Sequence, residues 1–335
     1  MLFCGIISDI NSDFGGKNMD IDILLVLQEF RNGIGSCLTD FMTKMSFIGE
    51  MNTVLIIIAL IYWCANKEFG KYLLMGWSGN RVINGLLKVT ACVYRPWIRD
   101  PRIVPDSAAL AAATGYSFPS GHSMNAASLF GGGAIRKELS KGLRIVLGII
   151  VVLIAFSRNF LGVHTPQDIL IGTGAGLLVM WLTGKLIAWV DKNPGKDIMV
   201  ACIGIAGAVA VAVFAAVKSY PMDYNEAGEL LVDGAKMAND TYKGVGWCVG
   251  FLIGWILEKR YVKFSTDIPM MTRITRLTTG LLSYYAVSLI LNPLFKSLIP
   301  GVGGTVTTCF IQMFYVTFVF PLFIKLFEHI PAASK

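Results

Sequence analysis

Long apolar runs, each bounded by a short basic or polar turn, dominate this chain and read as membrane-crossing helices. A bilayer core about 30 Å thick needs roughly 20 mainly apolar helical residues to cross it, and several runs approach or reach that length. Nine spans are predicted: about Thr53 to Cys64, Tyr72 to Cys92, Pro119 to Ile135, Ile145 to Phe156, Thr165 to Val190, Ile198 to Val217, Gly244 to Leu257, Leu277 to Leu291 and Val306 to Phe327. The third is interrupted by Gly131 to Gly133. The seventh carries Gly246, Gly250 and Gly254 at four-residue spacing, a strip that lets another helix approach closely, in a homodimer or within the chain. Before the first span, residues 21–47 place Ile23, Leu24, Leu27 and Phe30, then Ile34, Leu38, Phe41 and Met42, at helical spacing with a break near Gly33 and Gly35. This pattern predicts one or two amphipathic helices lying on the membrane.

Composition removes the ordinary soluble classes, because 54% of the 335 residues are hydrophobic and only 15% are charged. A net charge of +7 on such a chain is not a nucleic-acid footprint. Its lysines and arginines gather in the turns at 65–71, 136–144, 191–197 and 258–276, which the bias of basic residues toward the inner face places in the cytoplasm. The polar loop at 95–118 and the acidic loop at 218–242 (Asp223, Glu226, Glu229, Asp233, Asp240) then face outward, in a multi-pass protein of the cell membrane. The seven cysteines, from Cys4 to Cys309, are scattered without a CxxC pair, so neither a disulfide framework nor a zinc site is indicated. The first 20 residues lack the basic start and apolar run of a cleavable signal peptide. Asn239-Asp240-Thr241 fits a glycosylation acceptor, a match common by chance.

Three polar clusters interrupt the apolar pattern: Lys88 to Pro96, Pro119 to His122, and Ser157 to Asp168. They hold two of the three histidines, the third, His329, matching nothing. Charged side chains at membrane depth are costly and mark function or a partner. Lys88 and Arg95 are two helical turns apart, so both can address one anion; arginine brings a planar fork for phosphate oxygens and lysine a compact charge. Ser120, Gly121 and His122 stand where a helix begins, and unpaired backbone N–H groups add to an anion site. Thr165 can cap a helix with Pro166 in its first turn. His164 precedes that helix, and Asp168, four residues on, can hold one ring nitrogen and leave the other as a nucleophile. Arg158 offers a further guanidinium.

Lys-x6-Arg-Pro, Pro-Ser-Gly-His and Ser-Arg-x5-His-x3-Asp, in this order at span edges, resemble the type 2 phosphatidic acid phosphatase superfamily of integral membrane lipid phosphatases, over about residues 51–217. The resemblance implies an all-α, polytopic membrane helix bundle. Residues 1–50 would be an interfacial segment and 51–217 a six-helix phosphatase core; 218–242 would be an acidic extracytoplasmic loop and 243–335 about three additional C-terminal transmembrane helices. It implies a metal-independent phosphatase without a cofactor. His164 would attack phosphorus to form a phosphohistidine, Asp168 would orient it, and His122 would protonate the leaving oxygen. Lys88, Arg95, Ser120, Gly121 and Arg158 would hold the phosphoryl oxygens. Many members carry a second Arg-Pro after the first, whereas here Trp97 follows Pro96. The substrate would be a lipid phosphate or prenyl pyrophosphate met in the bilayer. A phosphotransferase using the same phosphohistidine, and a transporter of phosphate head groups, are the alternatives.

Overall fold

A computed structural model describes residues 19–225 and 227–327. Cys4, Glu226, His329 and most of the first 20 residues lie outside the described residues. The helices in chain order begin with α1 (Met19–Gly33), α2 (Ser36–Ile48), α3 (Met51–Leu60), α4 (Lys67–Ala91), α5 (Pro96–Arg99), α6 (Ser107–Ala111), α7 (Gly121–Ala126) and α8 (Gly132–Ala134). They continue with α9 (Lys141–Phe160), α10 (Pro166–Lys192), α11 (Lys196–Val217), α12 (Gly234–Met237), α13 (Asn239–Leu257), α14 (Met270–Leu298), α15 (Val302–Phe314) and α16 (Phe320–Phe327).

Among the described residues, five helical stretches are long and apolar enough to cross a membrane: α9, α10, α11, Met270–Phe295 and Val302–Phe327. A sixth arises if Ser36–Ile48 and Met51–Ala65, bent by 59° against each other, count as one broken or re-entrant span. The difference from nine has local causes. The third apolar run splits into α7, a π-turn at Ala127–Gly131 and the short α8, where three consecutive glycines weaken the helix. Helix α4 has the length, but Asn80, Arg81, Asn84 and Lys88 are buried along it, and their polarity lowers its hydropathy. Exposed leucine, isoleucine and valine side chains such as Val152, Leu170, Ile203 and Val217 stud α9 to α11, as expected where hydrocarbon rather than water is the neighbour.

The chain forms two compact units. One comprises Met1–Val54, Ile83–Trp181 and Phe214–Thr241, the other Leu55–Val82, Leu182–Val213 and Tyr242–Lys335. In the second, the glycine strip of α13 is used within the chain. A Cβ on Gly246 would run into Val306 O, one on Gly250 would lie 2.5 Å from Phe310 O, and one on Gly254 would overlap Thr317 Oγ1. The strip therefore seats α15 and the turn after it. Charged turn residues in this unit are also tied internally: Arg276, 1% exposed, donates to Trp63 O at 2.9 Å and Ser265 O at 2.7 Å, and Lys67 pairs with Glu258 at 2.6 Å.

In the first unit, the amphipathic segment is two helices, parted where Gly35 takes φ +83°. Helix α1 is tied to α5, the loop after it and the end of α9: Asp20 Oδ2 accepts from Arg99 Nη1 at 2.6 Å, and Arg31 donates to Val104 O at 2.6 Å and Phe160 O at 3.0 Å. Met42 of α2 joins Ala109, Phe160, Leu161 and Val163 in a buried cluster, which supports the backbone just before His164. Helix α9 begins at Ser140, whose hydroxyl accepts from Leu143 N at 3.4 Å, a serine cap of the usual kind. Helix α10 begins at Pro166 with its cap completed from inside, since Asp168 reaches back to the Thr165 N–H at 2.8 Å, half of a capping box.

Candidate active site

All three polar clusters fall in the first unit. Lys88 sits in the last turn of α4, and its ammonium donates to the carbonyls of Tyr116 and Ser117. Arg95, at the N-cap of α5, is 4% exposed and spends its fork on the protein. Its Nε donates to Gly115 O at 3.0 Å and its Nη2 to Thr114 O at 2.8 Å. Its Nη1 lies 3.0 Å from Val163 O and 2.9 Å from His164 Nε2. The guanidinium also lies 5.8 Å from the centre of the Trp97 ring, so the residue that departs from the second Arg-Pro packs against the first arginine.

The Pro119–His122 turn is held from two sides. Asn84 Nδ2 donates to Pro119 O at 3.2 Å, and Ser120 N–H donates to Asp168 O at 3.0 Å. Ser120 caps α7, its hydroxyl accepting from Ser123 N at 3.4 Å. This closeness to α10 requires Gly172, where an added Cβ would stand 2.8 Å from Ser120 O. Gly121 opens α7 and His122 follows it in the first turn, buried, its Cβ 3.5 Å from where a Cβ on Gly49 would be.

In the third cluster, His164 Nδ1 lies 3.3 Å from Asp168 Oδ2, both side chains 2% exposed. The same carboxylate oxygen accepts from Ser117 Oγ at 2.6 Å and Thr165 N at 2.8 Å. Arginine can only donate, so the Arg95 contact requires His164 Nε2 to be the acceptor, which places the ring proton on Nδ1 toward Asp168. Asn159 Nδ2 donates to His164 O at 2.7 Å and fixes the backbone beside it. Arg158 is fully buried. Its Nη1 donates to Ser46 Oγ of α2, while Nε and Nη2 find no hydrogen-bond partner among the described residues. A buried guanidinium with unused donors is costly unless an anion takes them.

Burial, and then the positive charge of Arg95, pushes the His164 imidazole well below its ordinary pKa, with Asp168 pulling the other way. Arg95 itself is lowered to about 10 by burial, against the pull of Asp168 and Asp240, and stays a cation at neutral pH. His164 is therefore neutral at neutral pH, with its Nε2 lone pair turned to the Arg95 Nη1. A nucleophilic role for this ring would require its neutral form, so activity lost on acidification would then mark its protonation. The acid limb of kcat/KM is expected below the ordinary histidine range of about 6.5, with a flat profile just above it; a limb centred at the ordinary value would show an imidazole unaffected by burial and Arg95.

The structure thus brings Lys88, Arg95, Ser120, His164 and Asp168 into one bonded network and adds Arg158 through its backbone, whose carbonyl accepts from His164 N at 3.3 Å. Lys88, Arg95 and the Ser120 N–H are engaged by protein groups here, so among these groups the donors open to an incoming anion are those of Arg158. Sequence reading missed Ser117, Ser46, Asn159 and Asn84. Only Asn84 left a signal, as a polar residue one helical turn before Lys88 within a predicted span.

A family model for the PAP2 superfamily matches residues 69–192, and one for the PAP2 superfamily phosphatase transmembrane extension matches residues 242–330. The chain is similar to phosphatidylglycerophosphatase B of Bacillus subtilis (strain 168), with 34% identity over 157 residues, 43% of this chain and 73% of that protein. It is also similar to the crystal structure of the first transmembrane PAP2 type phosphatidylglycerolphosphate phosphatase from Bacillus subtilis, with 26% identity, a TM-score of 0.45, and coverage of 58% of this chain and 95% of that one.

Proposed function

This chain belongs to the PAP2 superfamily, and we propose that it hydrolyses a phosphate monoester or pyrophosphate on a membrane lipid through a phosphohistidine on His164. The observation that carries the reading is the His164 ring, with Nδ1 on Asp168 and Nε2 on the Arg95 fork. In the first step Nε2 attacks phosphorus as the phosphoryl group takes over the Arg95 contact, the P–O bond to the lipid breaks, and His122 gives a proton to the leaving oxygen. Asp168 stabilises the charge gained by the ring. In the second step water, giving its proton back to His122, cleaves the P–N bond and releases phosphate. Arg158, Arg95 and Lys88 neutralise the transferring oxygens, the work that magnesium does in other phosphoryl-transfer sites.

The similarity to a phosphatidylglycerophosphatase favours a glycerophospholipid phosphate, phosphatidylglycerol phosphate first among the candidates. The basic turns, set against the clusters by the inner-face bias of lysine and arginine, favour a site on the extracytoplasmic face of the cell membrane. A panel of lipid phosphates presented in detergent to the purified protein tests the reading by free phosphate. Orthovanadate, a mimic of pentacoordinate phosphorus, is expected to inhibit, and a chelator is expected to leave the rate unchanged. Phosphorylated acceptor without free phosphate would replace hydrolysis by transfer, and loss of activity to the chelator would replace the mechanism.

A further inference from the structure

We propose that Asp240, in the first turn of α13, is a positioning residue of this active site, holding through Thr114 the loop that orients Lys88 and Arg95. The inference rests on the phosphatase reading above. Asp240 is 7% exposed, and its Oδ2 accepts from Thr114 Oγ1 at 2.9 Å across 126 residues of sequence. The backbone of the same short loop carries the site. Thr114 O and Gly115 O take the Arg95 fork, Tyr116 O and Ser117 O take Lys88, and the Ser117 hydroxyl takes Asp168. One carboxylate thus anchors the N-terminal end of a segment, 114–117, that touches both phosphate-site cations and the carboxylate that orients the nucleophile.

Two glycines show that the approach is built in. Gly115 has φ +75°, and a Cβ there would stand 3.3 Å from Met237 O, 3.6 Å from Asp240 Oδ2 and 4.0 Å from Lys88 Cδ. Lys88, the loop and Asp240 converge at that point, and a side chain would part them. Gly85, one turn before Lys88 on α4, lets Thr241 come so close that a Cβ would meet its Cα at 2.8 Å and its Oγ1 at 2.9 Å. The first turn of α13 is therefore seated on the helix that carries Lys88. Thr241 is 1% exposed. The matched transmembrane extension begins at residue 242, so the helix that opens the extension starts with a residue serving the core's chemistry.

The test uses the full-length protein in detergent, with Asp240→Ala, Asp240→Asn, Thr114→Val and the double variant Thr114→Val/Asp240→Ala. It measures turnover on a lipid phosphate, orthovanadate affinity by calorimetry, and thermal unfolding. Asp240→Ala and Thr114→Val are each expected to lower kcat and vanadate affinity by about tenfold, the loss of one hydrogen bond to a charged group. The double variant should be no worse than the poorer single one, because both remove the same contact. Asp240→Asn keeps an oxygen that accepts from Thr114 and should retain most of both properties. Wild-type kcat and vanadate affinity in a folded Asp240→Ala, or additive losses in the double variant, would overturn the proposal. If Asp240→Ala fails to fold, Thr114→Val decides. If the wild type binds vanadate but releases no phosphate from any lipid, the phosphatase reading fails and vanadate affinity still decides the role of Asp240. If the wild type does not bind vanadate, both are overturned.

Discussion

His164→Ala is expected to reduce phosphate release by roughly 10⁴-fold to 10⁶-fold, the loss seen when a nucleophile that works as part of a unit is removed. Alanine deletes the atom proposed to attack phosphorus and also releases the Arg95 Nη1 that rests 2.9 Å from it. The freed guanidinium remains held by Gly115 O and Thr114 O, so the anion cradle survives the substitution. Substrate and vanadate should accordingly still bind, and the loss should appear in kcat. Single-turnover assays on wild type and variant, with vanadate affinity alongside, make the check. A variant with retained turnover would eliminate His164 as nucleophile, and one that lost vanadate binding in step with turnover would make it a structural residue.

Asp168→Asn should cost almost as much in kcat, roughly 10⁴-fold by analogy with other carboxylate–histidine pairs, without altering the fold. Oδ2 of Asp168 accepts from the ring nitrogen, the Ser117 hydroxyl and the Thr165 N–H, and the neutral oxygen of a carboxamide, with two lone pairs and no charge, would hold these three donors more weakly. If the amide nitrogen turned toward the ring, His164 would carry its proton on Nε2, facing Arg95 donor to donor, and the attacking lone pair would be lost. If the amide oxygen kept the ring, the imidazolium formed during transfer would still lack its countercharge. Steady-state kinetics separate the two parameters: a fall in kcat with KM little changed is expected, whereas a raised KM with kcat preserved would assign Asp168 to substrate binding.

The pairing of His164 with Asp168 was legible because it is local: four residues bridging a helix start bring them together whatever the rest of the chain does. The same holds for Arg158, six residues before the histidine on the end of α9. What surrounds them was not legible. Ser46 reaches Arg158 across 112 residues and Ser117 reaches Asp168 across 51, and a lone serine carries no signature of the partner it will meet. Lys88 and Arg95 were readable as cations at a membrane edge, but their engagement by the carbonyls of 114–117 depends on a loop whose path no periodicity records. The span count differed for the opposite reason. Polar residues that build the site lie within α4, so the helix that serves the chemistry looks least like a crossing helix. The glycine strip of α13 announced a close contact, and its partner at Val306 to Thr317 required the tertiary structure.

The proposed mechanism turns on a covalent phosphoryl group on His164. Mixing the enzyme with a lipid labelled in its terminal phosphate, quenching in alkali within one turnover and mapping the labelled peptide by mass spectrometry tests it directly. An acid-labile, alkali-stable phosphate on His164 is expected, forming and decaying at rates compatible with turnover and absent from His164→Ala. Turnover with inversion of configuration at phosphorus and no labelled histidine at any time would contradict it, and would leave water as the group that attacks the lipid phosphate.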